Sequence, residues 1–470
     1  MAASALFVEA GLPEDPSRAA WRALAARIDR LIAAIDLRVT KQLGAILRAP
    51  AFRAMEARWR GLSMLVAQAG RGRGVLIRVL DVDWPTLGRN LERSTDFDQS
   101  HLFRLVYDGE FGMPGGLPFG LLLGDYQIAP APVAGSGDQV EIMRRLAAVA
   151  AASFCPVVMN AAPQMFGFAD HGEIAADTDL TAPRSDDPAM MRWNSLRRSE
   201  DARFVGLIAP GLMIRPSYRR FDPARLDGFA FDETGGGVPI IGGAFAFAAV
   251  VVQAFVESGW FAAIRGAAPG DATSGGQVPG FAPLDYRTDR HALAAQPPLE
   301  FRPTPAQEQA MSSAGVIPLS ALYHGDAPVF FTNPSLHLPQ SYDNPVASQN
   351  ARLAAMLQYV LCTSRFAHYL KVIMRDEIGS VSDPALIEAR LLDWLRGYCL
   401  GNDDASLSLK AQYPLRDAGV RISEIAGKPG SYRATIHLQP HFQLDDISTS
   451  FHLIAETGSV HQFASGGGRA

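Results

Sequence analysis

Residues 350–379 form the longest run in the chain with an unbroken helical pattern. Apolar side chains recur there at steps of three and four, which marks one stripe along a helix. The stripe consists of Leu353, Met356, Leu357, Val360, Leu361, Leu370 and Ile373. No proline interrupts the run, and Gly379 stands where a helix-ending residue is expected. The pattern predicts one continuous helix, about 45 Å long at about 1.5 Å per residue, that lies along a core.

The opposite side of this predicted helix is basic, with Arg352, Arg365, His368, Lys371 and Arg375. Such a face is typical either of a contact with another surface or of an internal salt-bridge network, and the sequence favours neither. Nearby cations lower the pKa of a histidine. We therefore expect His368 to be a neutral structural residue and not an acid–base catalyst.

Composition limits the classes of protein that this chain can belong to. At 470 residues, with 48% hydrophobic and 19% charged residues, it is an ordinary globular protein of two to three domains. A net charge of -5 argues against a dedicated nucleic-acid binder. Three widely spaced cysteines, Cys155, Cys362 and Cys399, predict a reducing compartment without disulfides. The chain has no secretory signal and no stretch of eighteen apolar residues, so we expect a cytoplasmic protein without membrane insertion.

The first part of the chain, 1–66, has the pattern of consecutive amphipathic helices. One helix is predicted from Ser17 onward, followed by a turn-rich join, a short piece at 42–47, and a further helix over 52–66. Phe52 and Trp59 share the apolar face of this last helix. Such a region docks onto a partner protein or packs on its own domain, and the pattern alone supports both equally.

The middle part, 67–350, alternates predicted strands with predicted helices, which indicates a layered α/β core, of α/β or α+β class. Its main predicted strands are 75–84, 121–127, 155–162, 204–208 and 328–335, and its main helices are 84–93, 100–108, 139–152 and 244–260. The last part, 351–470, combines the long helix and a helix at 384–400 with C-terminal strands at 415–425, 432–438 and 448–454.

Motifs of catalysis are absent from the sequence. We find no phosphate-binding GxxxxGK[ST], no HExxH, no CxxC and no GxSxG. The glycine-rich 70–74 precedes a predicted strand, whereas a dinucleotide-binding loop must follow one. His437 and His441 are separated by Pro440 in strand-like sequence, which argues against a metal site. Asp125 and the charged residues near 200 are interpreted as structural, so we predict no enzyme, no cofactor and no metal.

Several long blocks of the sequence resemble one protein family. The chain resembles the large subunit of the contractile sheath of bacterial type VI secretion systems, the TssC/VipB/ImpC family. The blocks that carry the resemblance are FRAMEARWRGLSMLV (52–66), LPFGLLLGDYQ (117–127), RWNSLRRSEDARFVGL (192–207), ESGWFAAIRG (257–266), SRFAHYLKVIMRDEIGS (364–380) and LQPHFQLDDISTSFHLI (438–454). They follow the order of the family and span nearly the whole chain.

The resemblance implies a structural protein with a core like that of phage tail sheaths. It implies pairing with a small sheath subunit (TssB/VipA-like) and helical assembly with other copies around an inner tube (Hcp-like), on a baseplate. A AAA+ ATPase (ClpV-like) disassembles contracted sheaths of the family, through a short helix in a longer N-terminal segment. Only about sixteen residues precede the first predicted helix here, so binding of that ATPase to this subunit stays open.

The resemblance also implies where partners bind. The helices of 17–66 would dock the small subunit, the C-terminal strands would join an intersubunit sheet, and the basic helix face would meet an acidic surface of the tube or of a neighbour, or form the internal network. The residues assigned to these contacts are Phe52, Trp59, Arg365, Lys371, Arg375, Tyr432, Ile436, Phe451 and Leu453. A baseplate adaptor or a sheath-like subunit of a related contractile injection machine is an alternative, and an enzyme on a degenerate α/β fold is a third.

Overall fold

The computed structural model describes fifteen stretches of the chain: 18–72, 74–111, 115–130, 137–180, 188–219, 229, 231–233, 237–267, 275–281, 284–285, 295–322, 327–377, 384–402, 405–424 and 432–441. The chain divides into a smaller unit, 1–60 with 213–241, and a larger unit, 61–212 with 242–470. The fold combines helices with a parallel sheet, which confirms the predicted α/β class. The three-part division at 66 and 350 stays a prediction.

The longer elements are named in chain order. The α-helices are α1 (Arg18–Arg48), α2 (Pro50–Ala69), α3 (Trp84–Arg93), α4 (Gln139–Ala152), α5 (Pro188–Arg197), α6 (Gly243–Ser258), α7 (Pro305–Ser313), α8 (Pro345–Ala354), α9 (Leu357–Glu377), α10 (Pro384–Arg396) and α11 (Leu407–Gln412). The strands are β1 (Leu122–Ile128), β2 (Val157–Ala161), β3 (Val205–Ala209), β4 (Leu212–Met213), β5 (Ile240–Ile241), β6 (Leu284–Asp285), β7 (Ala295–Gln296), β8 (Val316–Pro318), β9 (Ser320–Ala321), β10 (Pro328–Val329), β11 (Leu415–Glu424) and β12 (Tyr432–Pro440).

The smaller unit contains α1, and α2 begins in it. The predicted join before residue 42 is wrong, because α1 is a single helix of 31 residues. Gly44 lies inside it, where a glycine costs only about 1 kcal/mol relative to alanine. The helix ends where Pro50 starts α2, a position at which the missing N–H of proline does no harm.

The core of the larger unit is a parallel sheet in the order β1-β2-β3-β8. Every residue of β2 and β3 is buried, as expected for strands covered on both faces. The largely buried helix α6 packs against β1, β2 and β3. Asn160 of β2 joins these elements, because its Oδ1 accepts from the Ala244 N–H at 3.0 Å and its Nδ2 donates to Asp125 at 3.1 Å.

One predicted strand of this unit is wrong. Residues 75–83 are extended but belong to no ladder in the described chain. Local β-propensity favours an extended backbone, but a ladder also requires a neighbouring strand, and among the described residues β1 pairs with β2 alone. Helix α3 follows as predicted, and the Asp83 carboxylate caps it by accepting from the Thr86 N–H at 2.8 Å. The predicted helix at 100–108 contains a π-helical turn at Arg104–Asp108.

The single helix predicted over 350–379 is also wrong. It is interrupted between α8 and α9, where Met356 forms a β-bridge with Pro334. The Leu357 N–H donates to the Asn333 carbonyl at 2.9 Å, and the Ser335 N–H donates to the Ala355 carbonyl at 3.0 Å. These bonds to a distant segment replace those of a continuous helix. The apolar stripe of α9 is buried as predicted, and residues 378–383 lie outside the described part.

The C-terminal part of the larger unit is an antiparallel hairpin of β11 and β12, as the strand patterns at 415–425 and 432–438 predict. Helix α10 packs against β11. The predicted strand at 448–454 lies outside the described residues. The predicted strand at 328–335 is reduced to the two residues of β10.

Candidate assembly surfaces

The first candidate surface is the apolar stripe of α1. Its members Ile28, Leu31, Ile32 and Ile35 are all exposed in the chain. Within this 31-residue helix only Gly44 and Leu47 are buried. An amphipathic helix of a folded protein normally covers its apolar stripe. The stripe therefore has the character of a contact surface for another polypeptide.

The first half of helix α2 exposes apolar side chains, whereas Ala57 and, in its second half, Met64 and Leu65 are buried. Its apolar residues Met55 and Trp59 face solvent, and 66% of Trp59 is exposed. Its charged residues make the contacts within the smaller unit: Arg53 donates to the Val238 carbonyl at 3.3 Å, and Glu56 is paired as described below. Phe52 is half-buried. Exposed apolar side chains beside charged ones that make internal contacts indicate an interface.

A buried ion cluster holds α2 in this orientation. Arg215 contacts both oxygens of Glu56, at 2.7 and 3.2 Å, and both oxygens of Glu233, at 2.7 and 3.2 Å. Burial alone would raise the pKa of Glu56, but hydrogen bonds from Arg215 and Arg60 outweigh it and lower that pKa. The guanidinium also lies 4.3 Å from the ring centre of Tyr218. No sequence pattern indicates this cluster, because its members lie far apart in the chain.

The second candidate surface is the hairpin of β11 and β12. One face packs on an aromatic cluster of the larger unit, and the packed side chains are Ala418, Val420, Ile422, Ile436 and Leu438. The predicted interface residue Ile436 therefore contacts the chain's own core. Tyr432 is the first residue of β12, while Phe451 and Leu453 lie outside the described part.

The two outer edges of this hairpin differ. The outer edge of β11 is occupied: the Leu400 N–H donates to the Leu415 carbonyl at 2.8 Å, and the Ile422 N–H donates to the Glu388 carboxylate at 2.8 Å. The strand β12 pairs with β11 alone among the described residues. Side chains and loops that occupy an edge prevent strand addition there. A further strand can therefore add to β12 more readily than to β11.

The basic residues of α9 lie against aromatic rings. The Lys371 Nζ is 4.6 Å from the ring centre of Phe154 and 4.9 Å from that of Tyr107. Arg365 lies 4.5 Å from the ring centre of Tyr369. Neither cation has an ion pair with a described carboxylate, so these contacts are cation–π interactions and not a salt-bridge network. Arg375 lies in α9, and its side chain is outside the described part.

His368 agrees with its expected structural role. It is buried, with its Nε2 3.1 Å from the Ser153 carbonyl oxygen. Burial lowers its pKa to about 4, and the nearby charges of Arg365 and Lys371 act in the same direction. The sequence identified the two cations but not burial, which is the larger cause.

The sequence blocks SRFAHYLK and ESGW meet inside the larger unit. Phe366 and Trp260 stack with ring centres 4.0 Å apart, and Trp394 and Tyr398 pack around them. The block RWNSLRRSEDARF is also a brace: the buried Arg197 donates to the Ser313 carbonyl at 2.7 Å and to the Leu336 carbonyl at 3.2 Å. These residues stabilise the interior of the larger unit. Contacts with a partner must therefore be made by other, exposed residues.

We also searched the described residues for a metal site and for a membrane-spanning helix. No group of three or more histidine, cysteine, aspartate or glutamate residues there could hold a metal ion. No helix in the described part is both long and apolar enough to cross a bilayer.

Comparison with known proteins gives a consistent result over nearly the whole sequence. The VipB family model, described as EvpB/VC_A0108, tail sheath N-terminal domain, matches residues 29–337. The model described as EvpB/VC_A0108, tail sheath gpW/gp25-like domain, matches residues 346–457. The chain is thus a tail sheath protein. It belongs to the VipB family of type VI secretion sheath proteins, which confirms the resemblance drawn from the sequence blocks.

A relative from Pseudomonas aeruginosa, the type VI secretion system sheath protein TssC1, is 34% identical over 444 residues, which cover 93% of this chain and 86% of the relative. Two solved structures have weaker likeness. The sheath complex of an extracellular contractile injection system in the contracted state gives a TM-score of 0.35 at 10% identity, with 62% of each chain covered. The baseplate of the anti-feeding prophage gives 0.34 at 11% identity, with 66% of this chain and 64% of that chain covered. The chain thus spans less than two thirds of these two.

Proposed function

We propose that this chain is the large structural subunit of a type VI secretion contractile sheath. In this role it pairs with a small sheath subunit in the cytoplasm, polymerises helically with other copies around an inner tube, and contracts to propel the tube. The observation that carries the proposal is the first half of helix α2, where Glu56 pairs with the buried Arg215 and Trp59 is exposed, in a chain of the sheath family.

The small subunit docks on the stripe of α1 and on the exposed side of α2. A helix recognises such a surface by placing its own apolar stripe against it, with anchors at steps of three and four. Ile28, Leu31, Ile32 and Ile35 supply one row of anchors, and Trp59 supplies an aromatic one. The ion cluster of Arg215 keeps α2 in place, so little order is lost or gained on binding.

The hairpin of β11 and β12 joins neighbouring subunits by strand addition at the edge of β12. Main-chain hydrogen bonds between strands do not depend on the side chains around them, so subunits remain connected while they rotate past one another. The segment 448–454, with Phe451 and Leu453, contributes to the same intersubunit sheet. The closed outer edge of β11 supports this choice of edge.

Contraction needs no nucleotide chemistry from this chain. A lattice with two packings of the same subunits stores the free-energy difference between them and releases it when the baseplate end is triggered. Disassembly by a AAA+ ATPase then belongs to a separate protein. In this proposal, the end of α9 that carries Arg375 meets the tube or a neighbouring subunit.

Co-expression with the small sheath subunit, followed by negative-stain electron microscopy, tests the proposal. We expect tubules from the full chain. Deletion from Ser448 onward should leave the heterodimer intact and abolish the tubules. A chain that stays monomeric beside a well-behaved partner would contradict the proposal, and rings or plugs without tubules would favour a baseplate adaptor instead.

A further inference from the structure

The extended segment 75–82, which we call the free strand, has the sequence VLIRVLDV and lies in the larger unit. It is rich in the residues that favour strands. Leu76 and Val79 are each 71% exposed, and Leu80 is 58% exposed. No described main-chain group pairs with its backbone. An apolar strand with unpaired backbone is a template for pairing with another chain, and folded proteins normally cover or charge such a segment.

Two contacts hold the free strand in its extended form. Arg78 forms an ion pair with the buried Glu110, and Glu110 also accepts from the Leu117 N–H at 2.7 Å. Near the other end, the Tyr126 hydroxyl donates to the Val82 carbonyl at 2.8 Å. The segment is therefore preorganised, which reduces the entropy that a binding partner must remove.

We propose that the free strand is a docking site for an extended strand of the small sheath subunit, which adds to it by main-chain hydrogen bonding. This inference rests on the proposed function, because it takes the small subunit as the partner. It adds a second mode of contact, strand addition in the larger unit, to the helix contact of α1 and α2.

Continuity of the surface identifies the small subunit as the occupant. The last half of α2 belongs to the same unit and exposes Val66, and residues 70–74 alone separate α2 from the free strand. A subunit that lies along α2 therefore reaches the free strand without a long linker.

The charged residues of the free strand indicate which side chains the bound strand should carry. Asp81 is exposed and forms no ion pair with a described residue, whereas the positive charge of Arg78 is balanced by Glu110. We expect the docked strand to carry apolar residues at alternate positions, where they cover Leu76 and Leu80. It should also carry a lysine or arginine opposite Asp81.

Hydrogen exchange tests the proposal. It is measured on the full chain alone, on its heterodimer with the small subunit, and on tubules. The main-chain amides of 76–82 should exchange quickly in the chain alone and at least about tenfold more slowly in the heterodimer. Protection that arises only in tubules would assign the free strand to a second copy and overturn the proposal. Tubules in which these amides still exchange quickly would overturn it as well, while leaving the proposed function intact. Failure of the proposed function itself would show as a wild-type chain that forms no tubules.

A pair of variants tests the same point by affinity. The double variant Leu76→Glu, Leu80→Glu should weaken heterodimer formation by at least about tenfold, with an unchanged thermal midpoint of the isolated chain because both side chains are exposed. Leu386→Glu, at an equally exposed leucine of α10, is the matched control and should bind normally. Equal affinity of the double variant and the control would overturn the proposal.

Discussion

Trp260 and Phe366 stack face to face, with ring centres 4.0 Å apart and 16° between their planes. Trp260 follows the end of α6, and Phe366 lies in the middle of α9, so the pair joins the helix that covers the sheet to the helix that supports the hairpin. Both belong to sequence blocks that identify the family. The two aromatic side chains therefore build a joint between the sheet and the hairpin.

Truncation of this joint should destabilise the larger unit. Phe366 is fully buried, and Phe366→Ala is expected to reduce the free energy of unfolding by about 3–5 kcal/mol, through lost burial and the cavity that remains. Phe366→Leu, which keeps most of the volume, should cost less than half as much. Urea unfolding followed by tryptophan fluorescence measures both, and a loss below about 1 kcal/mol for the alanine variant would contradict this account of the joint.

The ion cluster of the smaller unit should behave as a buried network. Glu56→Gln leaves Arg215 with one carboxylate fewer, and Arg215→Ala leaves Glu233 without its cation and Glu56 with Arg60 alone. Breaking such a cluster from one side costs about 3–5 kcal/mol. Glu141→Gln, which breaks the exposed pair with Arg145, is the matched control and should cost less than about 1 kcal/mol.

The same cluster has a predicted dependence on pH. The folded pKa of Glu56 is lowered, so its contribution to stability is complete above its ordinary pKa of 4.5 and is lost as the pH falls through the folded value. We expect the stability difference between the wild type and Glu56→Gln to shrink below pH 4.5. A difference that stays constant down to pH 3 would show that the charge of Glu56 does not contribute.

Local patterns in the sequence predicted most helices and three of the four parallel strands, β1, β2 and β3, whereas β8 was not predicted. The stripe of Leu357, Leu361 and Leu370 is a local property and is buried as predicted. The interruption before Leu357 was not predictable, because it arises from hydrogen bonds to Asn333, which the chain brings close only when folded. The free strand shows the converse case: local propensity predicted a strand, but the described chain provides no neighbour.

The candidate surfaces were predicted less completely, because a pattern shows which residues share a face but not which way that face points. Phe52 and Trp59 share a face as predicted, yet only the structure shows that Trp59 is exposed on this face while Phe52 is half-buried. The sequence pattern places Lys371 on a basic face. It cannot show that Tyr107 and Phe154 contact Lys371, because these residues lie far away in the sequence.

His368 should make the larger unit less stable in mild acid. Its folded pKa is about 4, against an ordinary value of 6.5, so burial favours the neutral form. The contribution is complete above pH 6.5 and is lost between pH 6.5 and 4, by about 1.4 kcal/mol per pH unit. His337 also has a lowered pKa, caused chiefly by burial, and adds in the same direction. His368→Phe should reduce the slope of stability against pH in this window, and His337→Phe should leave the part due to His368. An unchanged slope in His368→Phe would contradict the assignment.

Charge reversal of Lys371 should lower stability, whereas substitution of Trp59 should weaken binding of the small subunit. Lys371 lies among aromatic rings, so Lys371→Glu places a carboxylate against their negative faces and should lower the thermal midpoint, whereas Lys371→Arg should nearly preserve it. Trp59 is 66% exposed, so Trp59→Asp should leave the midpoint unchanged and weaken binding of the small subunit by at least about tenfold. Differential scanning fluorimetry and co-purification separate the two effects. A folded Lys371→Glu chain that binds the small subunit but forms no tubules would assign Lys371 to a lattice contact, and a Trp59→Asp chain that binds normally would remove Trp59 from the interface.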